Sequence, residues 1–242
     1  MTTPMHVPQT DPEKLVASVQ LQQKRLTVPQ RWLSLAELAV GAAIVIGHNV
    51  YHVIPNEVPI LFVIALLSLR LRGGSWSATG LAWPVSWRRT VLLALAAAAL
   101  RILLGALVIR PLTAHFWRPP VAPAGSDEIQ GHPLLALGWL LFIWTFAAFG
   151  EEIGYRAYLL TRAAEAGGLS KAAWGVTIVV SSVLFGFGHY YKGPSGMVDS
   201  GIAGIILAAV FVLSRRNLWA CVLAHGFIDT VAVVTAFLGW QT

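Results

Sequence analysis

The sequence predicts an all-α polytopic membrane protein: a bundle of about seven transmembrane helices, with a polar site in the last four. Three observations lead there. The chain is 56% hydrophobic and only 12% charged over 242 residues, whereas a soluble domain carries about 25% charged residues. Its apolar residues gather in runs near the roughly 20 residues that cross a hydrocarbon core, with a mean hydropathy of +0.67. Ionisable residues also recur inside those runs: Glu151, Glu152, Arg156, His189, His225 and Asp229. Such groups are costly in a bilayer and face a bundle interior or a wet cavity.

Residues 1–32 read as a cytoplasmic tail with a short helix near 11–26. They hold Asp11, Glu13, Lys14, Lys24 and Arg25 and have no apolar core of the kind a cleavable signal needs. Residues 33–132 read as accessory helices and loops. A first span is expected at about 33–53, ended by Pro55, and a short second at about 57–71, closing in Arg70, Arg72 and Gly73-Gly74. Trp76, Trp83, Trp87 and Arg88-Arg89 suit a segment lying at the membrane interface. A third span follows at about 90–110, interrupted by Arg101, and then a Pro-rich external loop at 111–132.

Residues 133–242 read as the core. A long helical stretch at about 133–165 ends at Gly167-Gly168, as helices commonly do. A fifth span is expected at 171–190, a turn at Lys192–Gly196, a sixth span at 197–214, a tight Arg215-Arg216-Asn217 loop, and a seventh at 218–239. On that topology thirteen Lys and Arg fall on one side, while Arg110, Arg118 and Lys192 fall on the other. The positive-inside rule then puts the N-terminus in the cytoplasm. The basic residues flank apolar runs, so the net charge of +6 is an orientation signal and not a nucleic-acid footprint. The single cysteine, Cys221, lies within an apolar run as a small core residue and excludes a disulfide framework.

Three clusters carry the chemistry. In Glu151-Glu152-x-x-x-Arg156 the adjacent carboxylates sit about 100° apart on a helix, so they cannot share a direction. Glu152 and Arg156, at i and i+4, can pair on one face. Glu151 is then left to face a cavity as candidate general base for water, with Gly150 and Gly154 letting another helix or a peptide approach. In Phe185-x-x-x-His189 the two side chains share a face, with Gly186 and Gly188 leaving the backbone open. In His225-x-x-x-Asp229 the carboxylate can orient the imidazole. A Glu–Arg pair that only orients helices accounts for Glu152 and Arg156 but leaves Glu151 without a role.

Two chemistries fit these residues. Glu151 activates water, His189 positions it, and His225 with Asp229 stabilises an oxyanion. Alternatively Glu151, His189 and His225 hold a divalent metal such as zinc, although no His-Glu-x-x-His is present. One length conflicts with either scheme. Glu151 lies roughly 25 Å from the outer end of its helix at about 1.5 Å per residue, whereas His189 falls near the outer end of its own span.

Taken in order on successive spans, Glu-Glu-x-x-x-Arg, Phe-x-x-x-His and His-x-x-x-Asp resemble the CPBP family of intramembrane proteases. That family includes type II CAAX prenyl endopeptidases and bacteriocin-immunity (Abi) proteins. The resemblance covers roughly residues 134–239, including the Gly-rich turn at 193–196 and Asn217-Leu-Trp219. It implies Glu151, Glu152, Arg156, His189, His225 and Asp229 as functional positions, the bilayer and a membrane-associated peptide or protein C-terminus as partners, and either a metal-assisted or a glutamate-dependent reaction. Asp229 stands where prenyl endopeptidases usually have Asn, which favours a bacterial branch in the plasma membrane.

Other readings compete. Gly193-Pro-Ser195-Gly196 with His225 resembles the serine and histidine of rhomboid proteases, although a Gly-Pro turn between spans explains the same residues. A non-catalytic immunity or scaffold protein would use the same cavity for binding alone, and a proton-coupled transporter would use a Glu/His pair. His48 and His52 have metal-compatible spacing but sit beside Tyr51 at the outer end of the first span, where interfacial polar residues are common. Arg101 is expected to snorkel or to pair with a carboxylate across the bundle.

Overall fold

The computed structural model describes residues 26–240 except residue 124. The expected tail therefore lies almost wholly outside the described residues, as does the helix near 11–26 apart from its last residue. Seven helices are long enough to organise a bundle: α1 (Val28–Asn49), α2 (Glu57–Leu71), α3 (Trp87–Ala114), α4 (Pro133–Ala166), α5 (Lys171–Phe187), α6 (Gly193–Leu213) and α7 (Leu218–Phe237). All regular structure among the described residues is helical. Five of these helices (α1, α3, α4, α7 and Tyr190–Leu213, which includes α6) are long and apolar enough to cross a membrane; α2 and α5 are shorter. Leu33, Leu67, Leu95, Leu137, Val179 and Leu213 stand exposed on the bundle's outside, an apolar surface that suits lipid contact.

The helix ends follow local chemistry. α1 starts earlier than the apolar pattern alone indicates. Thr27 and Gln30 form a capping box there, with a proline in the first turn, and this arrangement satisfies backbone donors that the helix cannot. Asn56 caps α2 through the Val58 amide, and Ser170 caps α5 through that of Ala173. Gly168 adopts φ +76° just past α4, the left-handed stop expected of a glycine. The expected Lys192–Gly196 turn is shorter than the Gly-Pro pair indicates. Gly193 has φ +75°, and Gly193 to Gly196 already form the first turn of α6, because proline is pre-set for that position.

α4 runs through the middle. Ile153, Tyr155, Tyr158, Leu159 and Leu160 on its second half are buried against Leu61 of α2, Val45 of α1, Leu207 and Phe211 of α6, and Leu218 and Cys221 of α7. Cys221 is thus a core residue, as expected. Gly150 and Gly154 admit α2, not a peptide: a Cβ at either would lie 3.0 Å from Val58 or 3.1 Å from Leu61. A second apolar group, Ile129, Ile143, Val233 and Ala236, joins the far ends of α4 and α7.

At the other end, part-buried ion pairs tie α1, α2 and α4 together. Arg72 reaches Glu37 at 2.8 Å and Glu165 at 3.2 Å, Arg162 reaches Glu37 at 3.0 Å, and Ser34 donates to Glu165 at 2.7 Å. Arg72 and Arg162 therefore neutralise carboxylates as well as flanking helices. Arg156, counted from the sequence with the loop cations, is instead 2% exposed in the bundle interior. Arg101 pairs with Asp199 of α6 at 2.6 Å, the cross-bundle partner its position called for. Trp76 and Trp83 are exposed around a single 3-10 turn, and Trp83 and Trp87 meet edge to face at 5.7 Å, as an interfacial connector requires.

Candidate active site

The site forms where the middle of α4 meets the end of α5 and the first half of α7. Around it α4 loosens into π-type turns, Ile143–Glu151 and Ile153–Leu160, a rare winding that is frequent at functional positions. The turn between α4 and α5 sets the depth. Glu151 lies 15 residues before Ala166 and Phe185 lies 14 after Lys171, so both sit roughly 20 Å from that shared end at about 1.5 Å per residue. α4 has 34 residues and α5 only 17, so α5 stops about half-way along its neighbour. The apparent conflict between Glu151 and His189 came from assuming that both helices reach the same outer plane.

Glu152 is fully buried, with Oε1 2.9 Å from Arg156 and 2.8 Å from His225 Nδ1. The i,i+4 pair expected from spacing is therefore present, and it also holds α7. A carboxylate only accepts, so His225 Nδ1 donates to it. The other ring nitrogen, Nε2, faces Asp229 Oδ2 at 3.4 Å. Both ring nitrogens therefore point at carboxylates, which fixes the imidazole plane.

Phe185 packs at the centre of the three motifs. The Arg156 guanidinium lies 4.3 Å above its ring; Tyr155 meets it edge-on at 5.0 Å; His189 and His225 lie 4.8 and 6.1 Å away, centroid to centroid. His189 Nδ1 lies 2.9 Å from the Phe185 carbonyl. That oxygen can only accept, so Nδ1 carries the proton and Nε2 of the neutral ring presents a lone pair. Gly186 and Gly188 do not leave the backbone open: a Cβ at Gly186 would lie 2.8 Å from the Met197 carbonyl of α6, and one at Gly188 would strike the Tyr155 hydroxyl. Both glycines serve close packing.

Glu151 differs from its neighbour. Both carboxylates keep a buried Oε2 without a hydrogen-bond partner. Glu152 Oε1, however, is taken by Arg156 and His225, whereas Glu151 has no ion pair or side-chain hydrogen bond among the described residues; its charged neighbours are His225, Asp229, Glu152 and Glu57. A buried acceptor left unpaired is unusual. A carboxylate with neither oxygen committed to a neighbour can accept a hydrogen bond from a water or from the N–H of a peptide. Trp144 closes the α7 side: its indole donates to Thr230 at 3.2 Å, and a Cβ on Gly226 would lie 2.5 Å from the indole ring.

Among the described residues, no three His, Cys, Asp or Glu side chains are grouped closely enough to hold a metal ion. The set considered from the sequence, Glu151, His189 and His225, does not fit one in this arrangement. Both nitrogens of His225 face carboxylates, which leaves no lone pair directed at a shared centre. Ser195 is 2% exposed and donates to the Arg118 carbonyl at 2.6 Å; no hydrogen bond among the described residues joins it to His225.

Two further residues reach the site without a sequence signal of their own: Tyr155, inside the first motif, and Glu57, nearly a hundred residues away at the start of the short second helix. His48, by contrast, is an interfacial residue with its ring on Glu57 and the Ile54 carbonyl, at 3.3 and 3.0 Å.

The family model for type II CAAX prenyl endopeptidase Rce1-like proteins matches residues 133–231. The match runs from the start of α4 to two residues past Asp229 and so takes in all three motifs. Neither a curated protein nor a solved structure gives a significant match to the chain.

Proposed function

Since the chain carries an Rce1-like type II CAAX prenyl endopeptidase domain over residues 133–231 and so belongs with the CPBP intramembrane proteases, we propose that it hydrolyses a peptide bond of a membrane-associated peptide or protein C-terminus, using water activated by Glu151. The observation that carries this reading is a Glu151 carboxylate with no ion pair or side-chain hydrogen bond among the described residues, its Oε2 buried, next to a Glu152 whose Oε1 is already bonded to Arg156 and His225. Two adjacent carboxylates in different environments take different roles.

Glu151 removes a proton from water, and the water oxygen attacks the scissile carbonyl carbon. His189 Nε2 accepts the second water hydrogen and holds the water in line. The oxygen of the tetrahedral intermediate takes its negative charge beside the His225 Nε2–H, which the ring, held at Nδ1 by Glu152, shares between that oxygen and Asp229, 3.4 Å away. Collapse breaks the C–N bond, and Glu151 returns its proton to the leaving amine. The products are a carboxylic acid and an amine, with no acyl-enzyme. A positioned base contributes about 10²–10⁴ in rate, and one oxyanion donor about 10²–10³. The Glu152–Arg156 pair touches neither water nor substrate; it keeps His225 and Phe185 in place. With the buried Arg156 set aside, twelve Lys and Arg at one end of the spans against three at the other support an N-terminus in the cytoplasm, with the α4–α5 and α6–α7 turns on that side.

The test is cleavage of a reporter-peptide library by the full chain in liposomes, with wild type beside Glu151→Gln and His225→Ala. Cleavage by wild type that both changes abolish is the expected result. Cleavage retained by Glu151→Gln would refute the water-activating role.

A further inference from the structure

Glu57 is the first residue of α2, outside the family-matched segment, and only 5% exposed. A carboxylate at such a position is costly unless it is bonded. It has two partners. His48 Nε2 lies 3.3 Å from Oε2 and donates to it when the ring carries both protons, and the Tyr155 hydroxyl donates to Oε1 at 3.5 Å. His48 is itself oriented, because its Nδ1 faces the Ile54 carbonyl at 3.0 Å and must donate to it.

The second contact leads into the site. Tyr155 packs edge-on against Phe185 at 5.0 Å, and its hydroxyl fills the space where a side chain at Gly188 would stand. The same Gly188 position lies 3.3 Å from the Phe185 carbonyl, the oxygen that receives the His189 Nδ1 proton. A continuous run of contacts thus joins His48, Glu57, Tyr155 and the α5 end to His189. A joint meant only to tie α1 to α2 has no use for the Tyr155 contact. Glu57 is also among the charged neighbours of Glu151.

We infer that Glu57, held by His48, is a positioning residue for this site: through the Tyr155 hydroxyl it fixes the Phe185–His189 turn from helices that precede residues 133–231. The inference rests on the endopeptidase reading for its kinetic consequence, but not for its structural one.

The full chain in liposomes, as wild type, Glu57→Ala, Glu57→Gln, Tyr155→Phe and the Glu57→Ala/Tyr155→Phe pair, supplies the first readout. Glu57→Ala and Tyr155→Phe should each lower kcat about three- to ten-fold, the worth of one hydrogen bond, with KM held within about two-fold. The double variant should lose no more than either single one, and Glu57→Gln, which keeps an acceptor for the hydroxyl, should recover most of the rate. Unchanged kcat in the single variants, or losses that multiply in the double, would overturn the inference. The second readout needs no turnover: ring-¹⁵N signals of histidine-labelled protein, with His189 assigned through His189→Gln. The His189 signals should move in Glu57→Ala and in Tyr155→Phe; stationary signals would overturn the inference. If they move in a protein that cleaves nothing, the positioning role stands and the endopeptidase reading fails.

Discussion

Glu151 and Glu152 are adjacent and chemically identical, yet replacing each with glutamine should have opposite consequences. Glu152 is fully buried and holds Arg156 at 2.9 Å and His225 at 2.8 Å. Glu152→Gln keeps the shape and removes the charge, so a 2%-exposed guanidinium remains without its counter-ion. Breaking a buried pair from one side costs about 3–5 kcal/mol. For a chain of this size about 2–4 °C of Tm accompanies each kcal/mol, so the midpoint should fall by roughly 6–20 °C. Glu151 has no ion pair or side-chain hydrogen bond among the described residues, and three of its four charged neighbours (Asp229, Glu152 and Glu57, beside His225) are carboxylates, so Glu151→Gln should leave the midpoint unchanged or raise it. Thermal unfolding of purified protein in one detergent, followed by near-UV circular dichroism, reads both. A fall in Glu151→Gln as large as in Glu152→Gln would refute the division of the two carboxylates into one structural and one chemical group.

Other changes follow from the same contacts. Gly226→Ala puts a methyl group 2.5 Å from the Trp144 ring, and overpacking of that kind should cost about 1–3 kcal/mol, read by the same unfolding assay. Arg101→Met leaves Asp199 without its 2.6 Å partner and should destabilise, whereas Arg101→Met with Asp199→Leu should recover most of the loss, since apolar replacement of a whole buried pair is often neutral. Gly154→Leu meets Leu61, which already stands 3.1 Å from a Cβ there; it should separate α2 from α4 and expose both to limited proteolysis.

The helices were legible because the hydrocarbon core imposes a length and an apolar composition on them. α2 matches its expected bounds, and α4 ends where Gly167-Gly168 indicates, because these limits are written in local residues. α1 begins at Val28 because a capping box outweighs the polarity of its first turn, and apolar pattern alone does not register that. The pairing of Glu152 with Arg156 was readable from i,i+4 spacing. The second bond of Glu152, to His225 of α7, was not, since nothing in spacing specifies which helices touch. Glu57 was unreadable for the same reason: its partners are 9 and 98 positions away. The depth of His189 was misjudged because α5 ends half-way along α4, a mismatch that shows only when both helices are measured from their common turn.

In the proposed reaction Glu151, and not a serine, drives cleavage. The most direct measurement is the initial rate on one cleaved reporter peptide in liposomes for wild type, Glu151→Gln and Ser195→Ala, at equal amounts of folded protein. A loss of about 10²–10⁴ is expected for Glu151→Gln and a wild-type rate for Ser195→Ala, whose hydroxyl donates to the Arg118 carbonyl. Cleavage that survives Glu151→Gln and disappears with Ser195→Ala would contradict that role of Glu151.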